Sequence, residues 1–134
     1  MKTQLDDKSR KDLVEYRLNR SKEALNEVDY LIEGHYFNAA ISRLYYACYY
    51  AVVALLVANH IETLTHAGVK SLFALNFIKP GKIDKELAKT FFQLFDLRHN
   101  NDYEDFRFCD QDTIEEIRPS AGLFIQEIEK LIPH

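Results

Sequence analysis

The length and composition of this chain are those of one packed globular domain. Its 134 residues give room for one hydrophobic core but not for two ordinary ones. Hydrophobic residues make up 47% of the sequence and charged residues 28%, which excludes an intrinsically disordered chain. The formal net charge of -4 excludes non-specific binding of nucleic acid over the whole surface, so any contact with RNA must be local.

The apolar segments predict a cytoplasmic protein that does not enter a membrane. Residues 1–7 have no apolar stretch behind their lysine and do not form a secretory signal. Residues 44–58 carry no charge, but this stretch is shorter than the roughly 20 residues that cross a bilayer, and Arg43 closes one end. Cys48 and Cys109 are far apart in the sequence, which favours reduced packing residues over a disulfide or metal site.

The spacing of apolar residues predicts an all-α fold. Only 4 Gly and 3 Pro occur, and most of them fall between segments with a helical period. We predict an up-and-down bundle of four to five helices with short connections. The domain is expected to cover residues 11–134, after a flexible N-terminal tail at residues 1–10.

In chain order, the predicted helices cover about residues 7 or 12 to 33, 37 or 38 to 59, 67 to 77, 84 to 98, and 110 or 113 to 131. Gly34 ends the first helix because glycine takes left-handed backbone at low cost. The second is apolar nearly all round, which is typical of the centre of a bundle. Pro119 lies inside the fifth, where we expect a kink or a split because proline removes a ladder hydrogen bond.

An arginine and two phenols share one face of the second helix. Arg43, Tyr46 and Tyr50 stand at i, i+3 and i+7. A buried guanidinium without a partner is costly, so this arginine needs a reason. We favour an ion pair between Arg43 and a carboxylate from another helix, with the tyrosines packed beside it, over a direct role in catalysis.

The polar string at residues 98–103 is the most informative part of the sequence. An arginine, a histidine, two asparagines, an aspartate and a tyrosine follow directly on the apolar segment 91–97. The string can simply end the helix, with Asn100 or Asn101 in left-handed backbone, while Arg98 and Asp102 form an i, i+4 pair if the helix persists. It can equally form a site, if the bundle brings residues of other helices beside it.

Familiar metal and cofactor motifs do not occur in the sequence. It contains no G-x-x-x-x-G-K, G-x-G-x-x-G or G-x-S-x-G segment. His60, Glu62 and His66 lack the spacing of a helical zinc motif, and Thr65 or His66 can serve as a helix cap. We therefore expect neither a metal nor a cofactor.

Three segments, in this order, resemble the HEPN superfamily. They are Ala-Ala-Ile-Ser-Arg-Leu-Tyr-Tyr-Ala at residues 39–47, Thr-His-Ala-Gly at residues 65–68, and the string from Arg98 to Asp102 and Tyr103. They are similar to a small branch that reads Ser-Arg-x-Tyr-Tyr-Ala, His-x-Gly and Arg-x-x-x-Asp-Tyr, and the resemblance extends from about Tyr16 to Leu131. It implies a helical bundle, commonly a homodimer, often encoded beside a minimal nucleotidyltransferase in toxin-antitoxin modules.

The resemblance also implies a ribonuclease activity, but this sequence departs from the motif of the active toxins. Active HEPN toxins are metal-independent ribonucleases, whose motif is an arginine, four to six intervening residues, and a histidine. Arg98 matches the motif arginine, but Tyr103 stands where the histidine is expected, and no later histidine occurs before His134. A tyrosine with a pKa near 10 is a poor general base at pH 7.

From the resemblance we predict a HEPN-like module associated with RNA or a nucleotide, one half of a toxin-antitoxin or defence pair with a nucleotidyltransferase partner. Its activity would be that of a metal-independent endoribonuclease with a degenerate motif. The alternative is a non-enzymatic dimeric interaction or scaffold protein whose polar cluster is structural. The predicted catalytic residues are Arg98, His66, Asp102 and Tyr103, and the predicted substrate-binding residues are Arg43, Tyr46 and Asn101.

Overall fold

The computed structural model describes residues 5–63, 65–103 and 109–133, with residues 101–103 described in their backbone alone. These ranges contain five α-helices and no strand: α1 (Asp7–Glu33), α2 (Phe37–Ala58), α3 (His66–Phe73), α4 (Lys85–Tyr103) and α5 (Gln111–Leu131). A π-helical turn, Ala74–Ile78, extends α3. The predicted all-α bundle of four to five helices is confirmed.

The helices α1 and α2 run antiparallel along each other. Three contacts join them in opposite order along the two helices: Arg10 with Val57, Ser21 with Ala47, and Glu27 with Arg43. Ser21 is fully buried, and its hydroxyl donates to the carbonyl of Ala47 at 2.6 Å. The short connection between the helices produces this pairing, as expected for neighbouring helices in a bundle.

The helix α2 forms the centre of the bundle, as predicted. It packs against α1, α3, α4 and α5. Its buried residues are Ala40, Ile41, Leu44, Tyr45, Ala47, Cys48, Ala51, Val52, Ala54, Leu55 and Leu56. By length and composition alone α2 could cross a membrane, but 61% of its most apolar window is buried inside the bundle. Its apolar character is therefore explained by core packing.

Three phenylalanines join α3, α4 and α5 in the core. Phe73, Phe91 and Phe124 are fully buried, and each pair of ring centroids is 5.8 to 5.9 Å apart. Phe91 also stacks on Tyr45 of α2, with centroids 5.8 Å apart. Aromatic pairs at these distances add specific stabilisation to the burial of their area.

The helix α1 begins at the earlier of its two predicted starts, inside the segment predicted to be a flexible tail. Instead of a flexible tail through residue 10, α1 begins at Asp7, and the side chain of Asp6 accepts a hydrogen bond from the amide of Ser9 at 2.7 Å. Arg10 is buried and donates to the carbonyl of Val57 at 3.0 Å. The helix start is therefore fixed by an N-cap and by a contact with α2, which a sequence pattern based on apolar residues does not detect.

The end of α4 also differs from the predicted one. The helix continues through Tyr103 and does not end at Arg98. In the described ranges, the non-glycine residues with left-handed backbone are His35 and His60, so Asn100 and Asn101 do not terminate the helix in that conformation. The polar string thus lies on a helix.

Two further details of the helix ends correct the predictions. Gly34 has a φ of -82° and the following His35 has a φ of 63°, so the left-handed residue is the histidine. The helix α5 continues through Pro119 as one element, which excludes the split, one of the two predicted alternatives. Asp110 begins α5 by accepting from the amide of Thr113 at 2.8 Å.

Replacing Phe91 by alanine tests the importance of the aromatic core. We expect Phe91→Ala to lower the free energy of unfolding by about 3–5 kcal/mol, because it removes a fully buried ring and leaves a cavity among three other rings. Urea denaturation followed by circular dichroism measures the change. Leu123→Ala is the control, since Leu123 is 56% exposed and its loss should change stability by less than about 0.5 kcal/mol. Equal effects of the two variants would contradict this description of the core.

Candidate functional site

The predicted residues Arg98, His66 and Tyr46 meet where α2, α3 and α4 approach one another. Tyr46 lies on α2, His66 is the first residue of α3, and Arg98 lies on α4. All three side chains are partly exposed, so the cluster is neither enclosed in the core nor fully in solvent. We refer to these residues, with Tyr45 and Tyr49, as the tyrosine cluster.

Two tyrosines hold the imidazole of His66. The Tyr45 hydroxyl lies 2.8 Å from His66 Nδ1, which is hydrogen-bond distance. The ring of Tyr49 stacks on the imidazole, with centroids 4.3 Å apart and planes 14° apart. These contacts fix both the position and the plane of the imidazole.

The turn before α3 places His66 at the start of that helix. Thr65 has extended backbone, and its hydroxyl accepts from the amide of Gly68 at 2.9 Å, as an N-cap does. A Cβ on Gly68 would overlap the hydroxyl oxygen of Thr63 and lie 2.9 Å from that of Thr65. The glycine two residues after the histidine therefore permits the tight capping turn that presents His66.

Arg98 lies over two rings of α2. Its Cζ is 5.5 Å from the centroid of Tyr45 and 5.1 Å from the centroid of Tyr46. A guanidinium at these distances is attracted by the negative face of an aromatic ring. Tyr45 consequently contacts two of the four predicted catalytic residues, with its hydroxyl at His66 and its ring under Arg98.

Burial and charge set the protonation states in the cluster. Burial, and then the positive charge of Arg98, lower the pKa of His66 below its ordinary value, so the imidazole is mainly neutral at pH 7. Burial raises the pKa of the Tyr45 phenol well above its ordinary value, so this hydroxyl stays protonated. The cluster therefore pairs a neutral imidazole with a permanent cation.

Arg43 forms an ion pair with a carboxylate of α1. Its Nε lies 3.0 Å from Glu27 Oε2 on α1, so it forms the interhelical ion pair that the sequence favoured. Tyr50, on the same face of α2, lies under Arg20, whose Cζ is 5.4 Å from the ring centroid. Of the predicted face, only Tyr46 joins Arg98 and His66.

Three predicted site residues have side chains outside the described part of the structure. Asn101, Asp102 and Tyr103 continue the backbone of α4. Their assignment to catalysis or substrate binding stays a prediction.

Tyr45, Tyr49 and Lys70 belong to the site or its edge but were not among the predicted residues. Tyr45 and Tyr49 are four residues apart on α2, a spacing that places both on one side of a helix and could have revealed them. Lys70 Nζ lies 3.6 Å from the ring centroid of Phe95, one turn before Arg98 on α4. It adds a second positive charge near the cluster.

The arrangement is suited to a phosphate group. A neutral imidazole can accept or donate a proton, and a guanidinium beside it can stabilise negative charge on oxygen. Among the described residues there is no group of three or more histidine, cysteine, aspartate or glutamate side chains that could hold a metal ion.

Comparison with known proteins identifies the family. The family model described as "HEPN domain" matches residues 14–131, which include all five helices in whole or in large part. The "UPF0332 protein" of Thermotoga maritima is 35% identical over 121 residues, covering 90% of this chain and 91% of that protein.

Two relatives from Methanocaldococcus jannaschii have more informative names. "Putative toxin MJ0142" is 26% identical and covers 89% of this chain and 81% of its own length. "Putative toxin MJ0605" is 28% identical and covers 84% of this chain and 83% of its own length. The family match over residues 14–131 and the nearly full-length similarity to these relatives establish that the chain belongs to the HEPN domain family.

Proposed function

We propose that this chain is a cytoplasmic toxin module that cleaves RNA without a metal ion, with His66 and Arg98 as its catalytic residues. The observation that carries the proposal is the placement of both groups on one buried tyrosine, with His66 Nδ1 2.8 Å from the Tyr45 hydroxyl and Arg98 Cζ 5.5 Å from its ring. Family membership and the names of two relatives support a toxin-type role.

In the proposed reaction the 2′-hydroxyl of RNA attacks the neighbouring phosphorus. His66 accepts the proton of that hydroxyl, the bond from phosphorus to the 2′-oxygen forms, and the bond to the 5′-oxygen breaks. The leaving 5′-oxygen takes a proton from the imidazolium or from water. Arg98 stabilises the charge that develops on the phosphorane oxygens. The products are a 2′,3′-cyclic phosphate and a 5′-hydroxyl.

Tyr45 acts in this proposal as a positioning residue. When His66 Nδ1 carries the proton and donates it to the phenol oxygen, the lone pair of Nε2 is available to accept a proton from the substrate. The phenol itself stays protonated because burial raises its pKa. It therefore orients the imidazole without competing as a base.

Because His66 serves as the base in this proposal, position 103 does not need the histidine of the family motif. Tyr103 stands where the family motif has its histidine, and a phenol of ordinary pKa is a poor base near neutral pH. His66 comes from another helix, and its pKa is lowered first by burial and then by the charge of Arg98. In this proposal Asp102 and Tyr103 shape the pocket, and Asn101 contacts substrate.

The partners follow from the same proposal. We expect a homodimer, and a minimal nucleotidyltransferase that restrains the toxin as the second half of the pair. Arg43, now paired with Glu27, would contribute to substrate binding only if RNA competes with that carboxylate.

A second candidate is a non-enzymatic interaction protein. It is favoured by the burial of Tyr45 and by the packing of Arg98 on two rings, since the same contacts would fasten α4 to α2. In that case the cluster contributes stability, and its removal changes folding without affecting RNA.

Incubation of the purified protein with total RNA in the presence of EDTA tests the catalytic proposal. We expect cleavage by the wild type, a loss of about 10²–10³-fold in Arg98→Ala because charge stabilisation is removed, and about 10²–10⁴-fold in His66→Ala because proton transfer is removed. Gel electrophoresis with end-group analysis of the cyclic phosphate measures the rate.

Two variants serve as controls for that experiment. Lys89→Gln removes one positive charge from α4 at an exposed position and should leave the rate unchanged. His99→Ala removes the imidazole next to Arg98 and should also leave it unchanged. Loss of cleavage in His99→Ala but not in His66→Ala would contradict the assignment of the base, and inertness of the folded wild type would favour the interaction protein.

The pKa of His66 provides an independent check. We expect its midpoint below the ordinary value of about 6.5, and a cleavage rate that rises with pH through that midpoint and then levels off, because the base must be neutral. Arg98→Gln should raise the midpoint by removing the charge, whereas Arg98→Lys should raise it less. Titration of the histidine Cε1 protons by NMR measures the shift, and a midpoint that is equal in all three proteins would contradict the coupling.

A further inference from the structure

A groove lies beside the tyrosine cluster, between the first half of α1, the last turns of α2 and the start of the connection to α3. Its volume is about 390 Å³, which is in the range of small-molecule sites. Aliphatic side chains form much of its wall: Leu5, Leu13, Val53, Leu56, Val57, Ile61 and Val69. Polar groups enter this wall from Arg10, Arg17, Tyr49, Glu62 and Thr63.

Arg10 is a buried cation in this groove, and no carboxylate of the described residues forms an ion pair with it. Its side chain is nine-tenths buried, with 9% exposure. Nη1 donates to the carbonyl of Val57 at 3.0 Å and Nη2 to the carbonyl of Leu5 at 3.3 Å, while the buried Nε makes no hydrogen bond in the described structure. Both acceptors are neutral, so the burial of this charge is incompletely compensated.

Arg17 lies two turns further along the same face of α1. Its Nε is also buried without a hydrogen bond to any described residue. Arg17 and Tyr49 both line the groove, and the positive charge of Arg17 opposes the rise that burial causes in the pKa of Tyr49. Glu62 is exposed and forms no ion pair with either arginine in the described ranges, which leaves the lining with a net positive charge.

We propose that this groove binds a small amphipathic organic anion, with its apolar body on the aliphatic wall and its carboxylate or phosphate on Arg10 and Arg17. Carboxylate and phosphate oxygens match the planar donors of guanidinium groups. An anion there would balance the positive charge that the two arginines bring to the lining. The groove adjoins the tyrosine cluster and shares Tyr49 with it, since this ring stacks on His66 and also lines the groove.

Calorimetric titration of the full-length protein with simple probes tests the proposal. The probes are octanoate, octyl phosphate, octanol and inorganic phosphate. We expect octanoate or octyl phosphate to bind at least about tenfold more tightly than octanol, which lacks the charge, and than inorganic phosphate, which lacks the apolar body. The stronger of the two anions identifies the head group. Octanol binding as tightly as both anions, or no binding by either anion, would overturn the proposal.

Substitutions on α1 locate the binding site. Arg17→Gln should weaken binding of the preferred anion by about 10-fold or more, because one charged hydrogen-bonding partner is lost. Arg17 is preferred to Arg10 for this test, since Arg10 also ties α1 to the carbonyl of Val57. The matched control is Arg20→Gln, because Arg20 pairs with Glu23 and lies over Tyr50, away from the groove wall.

Equal affinity of the wild type and Arg17→Gln, or equal loss in Arg17→Gln and Arg20→Gln, would overturn the proposal. NMR shifts of the methyl groups of Val53, Val57 and Val69 on addition of octanoate should place the probe in the groove, and shifts confined to other methyl groups would place it elsewhere. These measurements contain no RNA, so their outcome is independent of whether the tyrosine cluster cleaves it.

Discussion

The contacts of Tyr45 connect the core of this protein to its candidate site. Its ring is fully buried, stacks on Phe91 of α4 and lies under Arg98, while its hydroxyl reaches His66 at the start of α3. A single side chain of α2 therefore fixes the positions of two other helices and of the two groups with the most evident chemistry. Because interiors are close-packed, a change in the aromatic core would shift the relative positions of His66 and Arg98.

The arginines of the bundle differ in the groups that their guanidinium ions contact. Arg20, Arg43 and Arg118 each lie within 3.3 Å of a carboxylate oxygen, and these ion pairs are partly exposed. Such pairs contribute little to stability. Those of Arg43 and Arg118 join α2 and α5 to α1, whereas Arg20 pairs within α1. Arg98 lies over two tyrosine rings, and Arg10 donates to backbone carbonyls. In a chain of net charge -4, local placement of this kind determines where an anion can bind.

The chain belongs to the HEPN domain family, but Tyr103 stands where the family motif has a histidine. A ribonuclease that lacks the motif histidine needs another group to transfer protons. His66 is the described histidine whose pKa responds to Arg98, and two tyrosines hold its ring. The same cluster could instead hold α4 against α2. Loss of His66 would lower the rate of RNA cleavage if the protein is a ribonuclease, and the stability of the fold if the cluster is structural.

The sequence by itself determined the helices, the central position of α2 and the family, because the period of apolar residues and the order of three motifs are local properties. It also singled out Arg98 and His66. Only the tertiary structure decided which groups meet. Arg43 pairs with Glu27, Tyr45 and Tyr49 hold His66, and the start of α1 is fixed by Arg10 on α2. These contacts depend on how packed helices are rotated and shifted along their axes relative to one another. The spacing of residues within one helix does not determine that arrangement.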